Sequence, residues 1–253
     1  MQIIKLNATD STNNYLKQLL VDTALEDFCV VTTNHQIKGK GQMGAEWISE
    51  KGKNLTFSVL KKNPSVVLPQ QFLLSILVSL SIIKTLEYYN IPKLAIKWPN
   101  DILSDHCKIS GILIENLIKS NKIDFSVIGI GLNVNQELFK GLPKVSSLRS
   151  ILGMSIDKDK LLHKLINNLK IYFELYAEKG KGVLNAEYES YLFRKDKPST
   201  FELPSHNLFT GIIRGVTDAG KLRVQMENTT QEFNLKELKL MVNVIIKFLV
   251  RKI

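Results

Sequence analysis

LAIKWPNDILSDHCKISGILIENLIKSNKIDFSVIGIGLN, residues 94–133, is the stretch that decides the fold of this chain. Residues 109–115 and 125–133 are apolar with a two-residue alternation, which predicts a pair of antiparallel strands. Residues 94–98 predict a further strand, which ends where a proline and an asparagine interrupt the pattern. The central section is therefore predicted to consist mostly of β-hairpins.

The sequence before this stretch predicts both helices and strands. A helix begins near Ser11 or Asp10, because either side chain can accept a hydrogen bond at a helix N-terminus. A strand is predicted at residues 28–33, followed by a glycine-rich segment and a β-rich stretch at residues 54–60. Residues 70–89 predict a buried helix, since its apolar run falls well short of the ~20 uninterrupted apolar residues that a membrane span needs.

The second half predicts two helices and then a small β module. Residues 157–179 carry apolar side chains on one helical face, and a second helix covers residues 184–193. Beyond that helix, prolines and glycines separate short apolar runs, which is typical of a small all-β module. The predicted domains are residues 1–195 and 196–243, followed by a tail, residues 244–253, with no assigned role.

Composition sets bounds on the class of protein. With 253 residues, 44% hydrophobic and 23% charged, the chain predicts a soluble globular protein of one large domain, or one with an appendage. The first residues lack a signal-peptide pattern, and Cys29 and Cys107 form no CxxC pair, so we expect a cytoplasmic protein without membrane contact. The net charge of +10 fits anionic nucleotides, an acidic protein partner or nucleic acid equally well.

Two short segments carry candidate chemistry, and the first is residues 39–44 with Trp47. It matches GxGxxG, but the next predicted element is a strand, whereas a dinucleotide-binding motif requires a helix there. Backbone amides freed by glycine, together with Lys40, can cradle an anion, and an indole can cover an adenine or close a lid. The alternative is a hairpin loop whose glycines serve only its turns.

The second segment, residues 97–101, ends a predicted strand with Asn100 and Asp101. An amide and a carboxylate then lie where the chain leaves the sheet, the usual place for ligand chemistry. Lys108, with Gly111 nearby, lies on the return strand of a predicted hairpin and should point to the same place. Taken alone, Asn100 and Asp101 could be turn formers, and Lys108 a solvated lysine.

These segments occur in the order and at the spacing of biotin protein ligases, and the resemblance covers most of residues 1–180. It also includes residues 11–13, Gln36, residues 108–115 and residues 129–133. The resemblance implies an α+β fold with a mixed β-sheet catalytic domain flanked by helices, of the class II aminoacyl-tRNA synthetase-like or biotin–lipoate ligase type. It also implies a small SH3-like β-barrel as the C-terminal domain.

The reaction implied by this resemblance is a two-step acyl transfer. The biotin carboxylate attacks the α-phosphorus of ATP to give biotinyl-5'-AMP and pyrophosphate. A lysine of a biotin carboxyl carrier protein, expected to be that of acetyl-CoA carboxylase, then displaces AMP. Because both first-step reactants are anions, lysines and Mg²⁺ must offset their repulsion.

The resemblance also implies a role for each site residue. Lys108 and Lys40 are the expected catalytic residues, and Asp101 is the expected Mg²⁺ ligand. The expected biotin-binding residues are Ser11, Thr12, Asn13, Gln36, Lys40, Gly41, Gln42, Lys108 and Gly111. The expected ATP-binding residues are Gly39, Gly41, Gly44, Trp47, Asn100, Lys108 and Asn133.

The sequence departs from the common pattern of this family in two regions. Lys40 and Gln42 stand where arginines are usual, and lysine loses the bidentate fork while glutamine also loses the charge. Ala45 and Glu46 stand where more basic residues are frequent, so we expect the adenylate to be held less tightly. The ten residues before Ser11 are too few for a winged helix-turn-helix, so we expect no DNA binding.

Two other functions remain as alternatives. A lipoate or octanoate ligase of related fold is disfavoured by residues 97–101 in combination with Lys108 and Gly111. A basic module that binds nucleic acid would need basic and aromatic residues interleaved on one face, whereas the lysines here are scattered. Oligomeric state stays open, with a homodimer as one outcome.

Overall fold

The computed structural model describes residues 2–142 and 144–241 and divides into two compact units, with the break between Phe193 and Arg194. The tail that the sequence sets apart, residues 244–253, lies outside the described residues.

The first unit combines a large sheet with helices. Its described strands are β1 (Ile3–Thr9), β2 (Val30–Gln36), β3 (Leu55–Lys62), β4 (Leu94–Lys97), β5 (Asp101–Ser104), β6 (Cys107–Lys119) and β7 (Lys122–Leu132). Its described helices are α1 (Thr12–Asp22), α2 (Phe72–Tyr88), α3 (Leu148–Leu152), α4 (Lys158–Lys179) and α5 (Lys181–Ser190). Short 3-10 helices lie at Gln42–Gly44 and Leu68–Gln70.

The seven strands form one mixed sheet in the order β1-β2-β3-β7-β6-β5-β4. β1 and β2 are parallel, and the other neighbours are antiparallel. β6 and β7 are joined by Ser120 and Asn121, which have φ angles of 49° and 57°. Positive φ at both turn residues is the geometry of a type I′ hairpin, whose twist matches that of the flanking strands. The hairpin predicted from residues 109–133 is therefore confirmed.

Three strands or α-helices of the first unit are absent from the sequence prediction, namely β1, β5 and α3. β5 follows Pro99 and Asn100 at once and is only four residues long, too short for an alternation to be visible. β1 is a half-buried edge strand with several polar residues. β2 also continues to Gln36, beyond the predicted end, and this extension puts Gln36 at the end of a strand.

The two faces of the sheet carry different layers. On one face, Leu16 of α1 packs with Val31, Leu60 and Val127 in a buried cluster. Successive strand residues point to opposite faces. Lys61, next to Leu60, accordingly lies over the ring of Phe173 in α4 on the other face. α1 and α4 therefore lie on opposite sides of the sheet.

α2 is the long apolar helix predicted to be buried, and this prediction is confirmed. The stretch Leu68–Tyr88 is long and apolar enough to cross a membrane by length and composition alone. However, 67% of its most apolar 18-residue segment is buried inside the protein. α2 packs against α4 and α5, and Asn168 of α4 donates to the hydroxyl of Thr85 at 2.9 Å.

The second unit is a five-stranded antiparallel sheet. Its strands are β8 (Pro198–Glu202), β9 (Leu208–Val216), β10 (Leu222–Gln225), β11 (Thr230–Phe233) and β12 (Lys239–Met241), in the order β11-β10-β9-β8-β12. The rings of Phe201 and Phe209 stack at 5.3 Å, and those of Phe209 and Phe233 at 5.9 Å. The predicted α+β class, with a large mixed sheet and a small β module, is confirmed.

Because α2 supplies much of the core, replacing one of its buried side chains by alanine should destabilise the first unit. Leu80 is fully buried in α2, so Leu80→Ala should lower the free energy of unfolding by about 2–5 kcal/mol through lost burial and a residual cavity. Urea denaturation followed by circular dichroism measures this. Lys84→Ala, an exposed change on the same helix, should stay within about 0.5 kcal/mol of the unmodified chain. Equal midpoints for all three proteins would contradict a core role for α2.

Candidate active site

A cavity of about 240 Å³ opens on the face of the sheet that carries α1. Its lining comes from the first turn of α1, the glycine segment, the turn between β4 and β5, and the strands β3, β6 and β7. The predicted site residues that line it are Ser11, Thr12, Asn13, Gln36, Lys40, Gly41, Gln42, Trp47, Asn100, Asp101, Lys108 and Gly111. Residues from segments far apart in the sequence are thus brought together.

Three predicted site residues do not line this cavity. Gly39 and Gly44 line an adjacent cavity on the glycine segment, which also includes Lys40 and Trp47. Asn133 is buried just beyond β7, where its Nδ2 donates to the carbonyl of Ser146 at 3.0 Å. Asn133 therefore fixes the path of the chain after β7.

The floor of the cavity consists of two neighbouring rows of residues that cross three strands. The register of the sheet gives the first row as Ser58, Gly129 and Leu113, and the second as Thr56, Gly131 and Gly111. Residues two apart on a strand share a face, so both rows lie on the cavity side of the sheet, and all of their members except Ser58, which Asn13 covers, line the cavity. Each row therefore has a glycine of β7 at its centre.

Both central glycines permit a close approach by another side chain. A Cβ atom at Gly129 would lie 2.5 Å from Oδ1 of Asn13, and a Cβ atom at Gly131 would lie 2.3 Å from Cε2 of Trp47. Neither distance is sterically allowed. The Asn13 amide and the Trp47 ring therefore lie directly on the backbone of β7, and only glycine leaves room for them.

The first turn of α1 forms the polar end of the cavity. Ser11 is the N-cap residue and accepts from the N–H of Asn14, so the helix starts with residues 11–13 buried. Thr12 donates its backbone N–H to Oε1 of Gln36 at 2.9 Å and its hydroxyl to the same atom at 3.2 Å. The end of β2 is thereby tied to the start of α1.

Asn13 is held by a second set of hydrogen bonds. Its Nδ2 donates to Glu115 Oε2 at 2.8 Å and to the carbonyl of Leu113 at 3.3 Å, while Ser58 Oγ donates to its Oδ1 at 2.5 Å. Lys17 donates to Glu115 Oε1 at 2.7 Å. Burial alone would raise the pKa of Glu115, but the hydrogen bonds from Lys17 and Asn13 bring the pKa below its ordinary value. Glu115 is therefore ionised at neutral pH.

The glycine segment forms a short hairpin-like loop between β2 and β3. Lys40 and Glu46 face each other across it, and the N–H of Trp47 donates to the carbonyl of Gly39 at 3.0 Å. Lys40 is exposed, with Nζ 3.4 Å from Oδ1 of Asn14. Nε1 of Trp47 is buried and has no hydrogen-bond partner among the described residues. The loop thus presents one cation and one unpaired indole N–H.

The opposite side of the cavity carries an ion pair. Lys108 and Asp101 lie on the two arms of the β5–β6 hairpin, and Lys108 Nζ is 2.6 Å from Asp101 Oδ1. The same ammonium group lies 5.6 Å from the centre of the Trp47 ring. Asn100 donates from Nδ2 to the carbonyl of Ile112 at 2.9 Å. The hairpin therefore brings Lys108 beside residues 100–101.

Several cavity residues were not singled out as site residues from the sequence. They include Ala45, Glu46, Thr56, Phe57, Ile112, Leu113, Gly129, Ile130 and Gly131, with Ser58 and Glu115 hydrogen-bonded behind Asn13. The available signal was the Gly129-Ile130-Gly131 sequence, because glycine inside a central strand marks a close backbone approach.

In residues 2–142 and 144–241, no group of three or more His, Cys, Asp or Glu side chains is placed to hold a metal ion.

Comparisons with known proteins agree with this fold. The Biotin/lipoate A/B protein ligase family matches residues 6–133, and the chain belongs to this family.

Several similar proteins are named as ligases, and two of those that follow are named as biotin ligases. The chain is 27% identical to the bifunctional ligase/repressor BirA of Salmonella typhimurium over 93% of its own length and 73% of that protein. It is 26% identical to the biotin–[acetyl-CoA-carboxylase] ligase of Mycobacterium tuberculosis, over 88% of this chain and 82% of that protein. The structure of the biotin protein ligase from Aquifex aeolicus in complex with biotin and ATP superposes with a TM-score of 0.79 at 28% identity, covering 96% of this chain and 99% of that one.

The contact between Trp47 and β7 gives a direct test of the site geometry. Gly131→Ala places a methyl group where the Trp47 ring lies, so the ring should be displaced and more exposed to water. In a Trp98→Phe background, which leaves Trp47 as the only tryptophan, its fluorescence emission should shift to longer wavelength. Gly182→Ala, where an added Cβ meets nothing, is the control and should leave the spectrum unchanged. An unchanged spectrum for Gly131→Ala would contradict this packing.

Proposed function

We propose that this chain is an ATP-dependent biotin protein ligase that forms biotinyl-5'-AMP from biotin and ATP and transfers the biotin to a lysine of a biotin carboxyl carrier protein. The observation that carries the proposal is that one cavity combines an end lined by buried polar side chains with two lysines on different elements. The polar end is the first turn of α1 with Gln36, and the lysines are Lys40 and Lys108.

The polar end supports biotin as the substrate. Thr12, Asn13, Gln36 and Ser58 are buried side chains that hydrogen-bond to one another around the cavity. A ureido ring offers both donors and acceptors to such groups, whereas the dithiolane or alkyl end of lipoate or octanoate offers neither. Asn13 Oδ1 accepts from Ser58 and retains a second lone pair, and a ligand with no donor for such a buried acceptor is disfavoured, so biotin is favoured over the lipoate or octanoate alternative.

The two lysines support the adenylation step. A carboxylate and a triphosphate repel each other as they approach, and fixed cations reduce that barrier most where negative charge develops. Lys108 forms an ion pair with Asp101 and lies close to the Trp47 ring, while Lys40 lies on the glycine segment. We assign Lys108 and Lys40 as the catalytic residues, which hold the carboxylate and the α-phosphate together.

The nucleotide is assigned to the part of the cavity beside Trp47. We assign the phosphates to the glycine segment, because it carries the exposed Lys40 and lies beside Trp47, whose indole provides a flat surface for the base. Asn100 lies next to Asp101, so its side chain can contact the same phosphates. The Asn133 side chain lies outside the cavity and donates to the Ser146 carbonyl. We therefore assign it an indirect effect on nucleotide binding, through the path of the chain after β7.

Mg²⁺ is proposed to bind together with the phosphates. Magnesium in nucleotide enzymes is usually held by one or two carboxylates and the substrate phosphates, with several waters. Asp101 supplies one carboxylate within the cavity, so the residues fit this arrangement. When bound, the ion neutralises phosphate charge.

The remaining assignments are also proposals. We assign catalysis to residues 1–195 and an SH3-like fold to residues 196–243, in the cytoplasm, with the carrier domain of acetyl-CoA carboxylase as the acceptor. β1 forms one edge of the described seven-stranded sheet. An open edge presents backbone groups on which a second copy can pair, so a homodimer is part of the proposal.

The deciding experiment incubates the chain with ATP, Mg²⁺, biotin and an apo carboxyl carrier domain. The unmodified chain should biotinylate the carrier, as measured by streptavidin blot and mass spectrometry, and lipoate should give no modified carrier. Lys108→Ala should lower the adenylation rate by about 10²–10³-fold, since it removes a cation from the transition state. Lys84→Ala is an exposed lysine control and should retain full activity.

Each outcome of that experiment tests a different statement. No biotin on the carrier with the unmodified chain would refute the ligase function. Full adenylation by Lys108→Ala would refute only the assignment of Lys108. Modification with lipoate but not with biotin would favour the alternative substrate.

Gln42 provides a further prediction, on retention of the adenylate. Gln42 lines the cavity but has no charge where related proteins commonly have arginine, so it cannot form a bidentate contact with a phosphate. Gln42→Arg should slow the dissociation of biotinyl-5'-AMP by about tenfold, the equivalent of one charge-assisted hydrogen bond. A filter-binding measurement of the off-rate checks this, and equal off-rates would remove the idea.

A further inference from the structure

Asn13 contributes only a carbonyl oxygen to the cavity, because its amide nitrogen is fully used. Both hydrogens on Nδ2 have acceptors, one on Glu115 and one on the Leu113 carbonyl. Oδ1 accepts from Ser58 and retains a second lone pair. That oxygen lies directly over Gly129, which itself lines the cavity.

The orientation of the amide is determined by Glu115. An ionised carboxylate is an acceptor only, so it must face Nδ2. If the amide were flipped, Oδ1 would face two acceptors, the Glu115 carboxylate and the Leu113 carbonyl. Lys17 holds the other oxygen of the carboxylate and keeps Glu115 beside Asn13. Glu115 itself does not line the cavity, so its effect on a ligand must pass through Asn13.

We propose that Glu115 is a positioning residue for biotin recognition, which orients the Asn13 amide so that Oδ1 accepts a hydrogen bond from a ureido N–H of biotin. This inference rests on the proposed ligase function and adds to it a residue outside the cavity. The ligand group selected at this point is a hydrogen-bond donor, and a carbonyl or ether oxygen at the same place would be repelled.

Substitutions can exchange the donor and acceptor roles of Asn13 and Glu115. In Asn13→Asp, a carboxylate faces the Glu115 carboxylate, so the local arrangement should break. In the double variant Asn13→Asp with Glu115→Gln, the glutamine amide donates to the new aspartate. The other oxygen of that aspartate then remains an acceptor toward the cavity, as Oδ1 of Asn13 is in the unmodified chain. Glu115→Gln alone has one acceptor oxygen, which can still face Nδ2 of Asn13, but its NH2 group then replaces the oxygen that accepts from Lys17.

The test measures biotin binding to the full chain by isothermal titration calorimetry without ATP, and the KM values for biotin and for ATP in adenylation. Glu115→Ala should raise the biotin Kd about tenfold or more, through loss of a charge-assisted hydrogen bond, with the KM for ATP unchanged. Asn13→Asp should raise it at least as much. Glu115→Gln should lose less affinity than Glu115→Ala, because its oxygen can still accept from Asn13, and the double variant should bind biotin more tightly than Asn13→Asp alone. Lys17→Ala removes the ion pair but leaves the Glu115 acceptor, so it should lose less biotin affinity than Glu115→Ala.

Three results would overturn the role of Glu115 while leaving the ligase function intact. One is unchanged biotin affinity in Glu115→Ala. Another is a double variant that binds no better than Asn13→Asp alone. The last is an equal loss in Glu115→Ala, Glu115→Gln and Lys17→Ala, which would indicate a general structural role for the charge. Absence of biotin binding by the unmodified chain would instead overturn the proposed function, and this inference with it.

Discussion

The close approach of two side chains to the backbone of β7 is the constraint on which the site depends. Asn13 lies on Gly129 and Trp47 lies on Gly131, at distances that a Cβ atom would prevent. The two glycines are two residues apart on a central strand, so they point to the same face. This spacing places the polar end of the cavity beside the end assigned to the nucleotide, two residues apart along β7.

The same constraint explains how the charges are arranged. Lys108 comes from the β5–β6 hairpin, next to the row that contains Gly131, and it is paired with Asp101 and close to Trp47. Glu115 lies two residues beyond Leu113 on β6, next to the row that contains Gly129, and it is paired with Lys17 and Asn13. Each end of the cavity therefore has one carboxylate–lysine pair. The pair at the polar end orients an amide, and the other is assigned to the phosphates.

Much of this arrangement could be predicted from the sequence. The alternation in residues 109–133 predicts the β6–β7 hairpin, and the hairpin brings Lys108 back toward residues 100–101, as we expected. The helix start at Ser11 follows from its capping side chain. β1 and β5 could not be predicted in the same way, because a four-residue strand or a half-buried edge strand carries too little periodicity. The contacts of Asn133 outside the cavity and of Glu115 behind it depend on register, which short-range patterns do not encode.

The sequence by itself determined the residue types of the site, the β6–β7 hairpin that carries part of it and the resemblance to biotin protein ligases, because these depend on local order and spacing. Only the tertiary structure decided which side chains meet. It placed Asn13 between Ser58 and Glu115, and Trp47 over Gly131, through the pairing of β3, β7 and β6. The physical reason is that these contacts join residues tens of positions apart, and sheet register, which depends on the packing of the whole unit, fixes each distance.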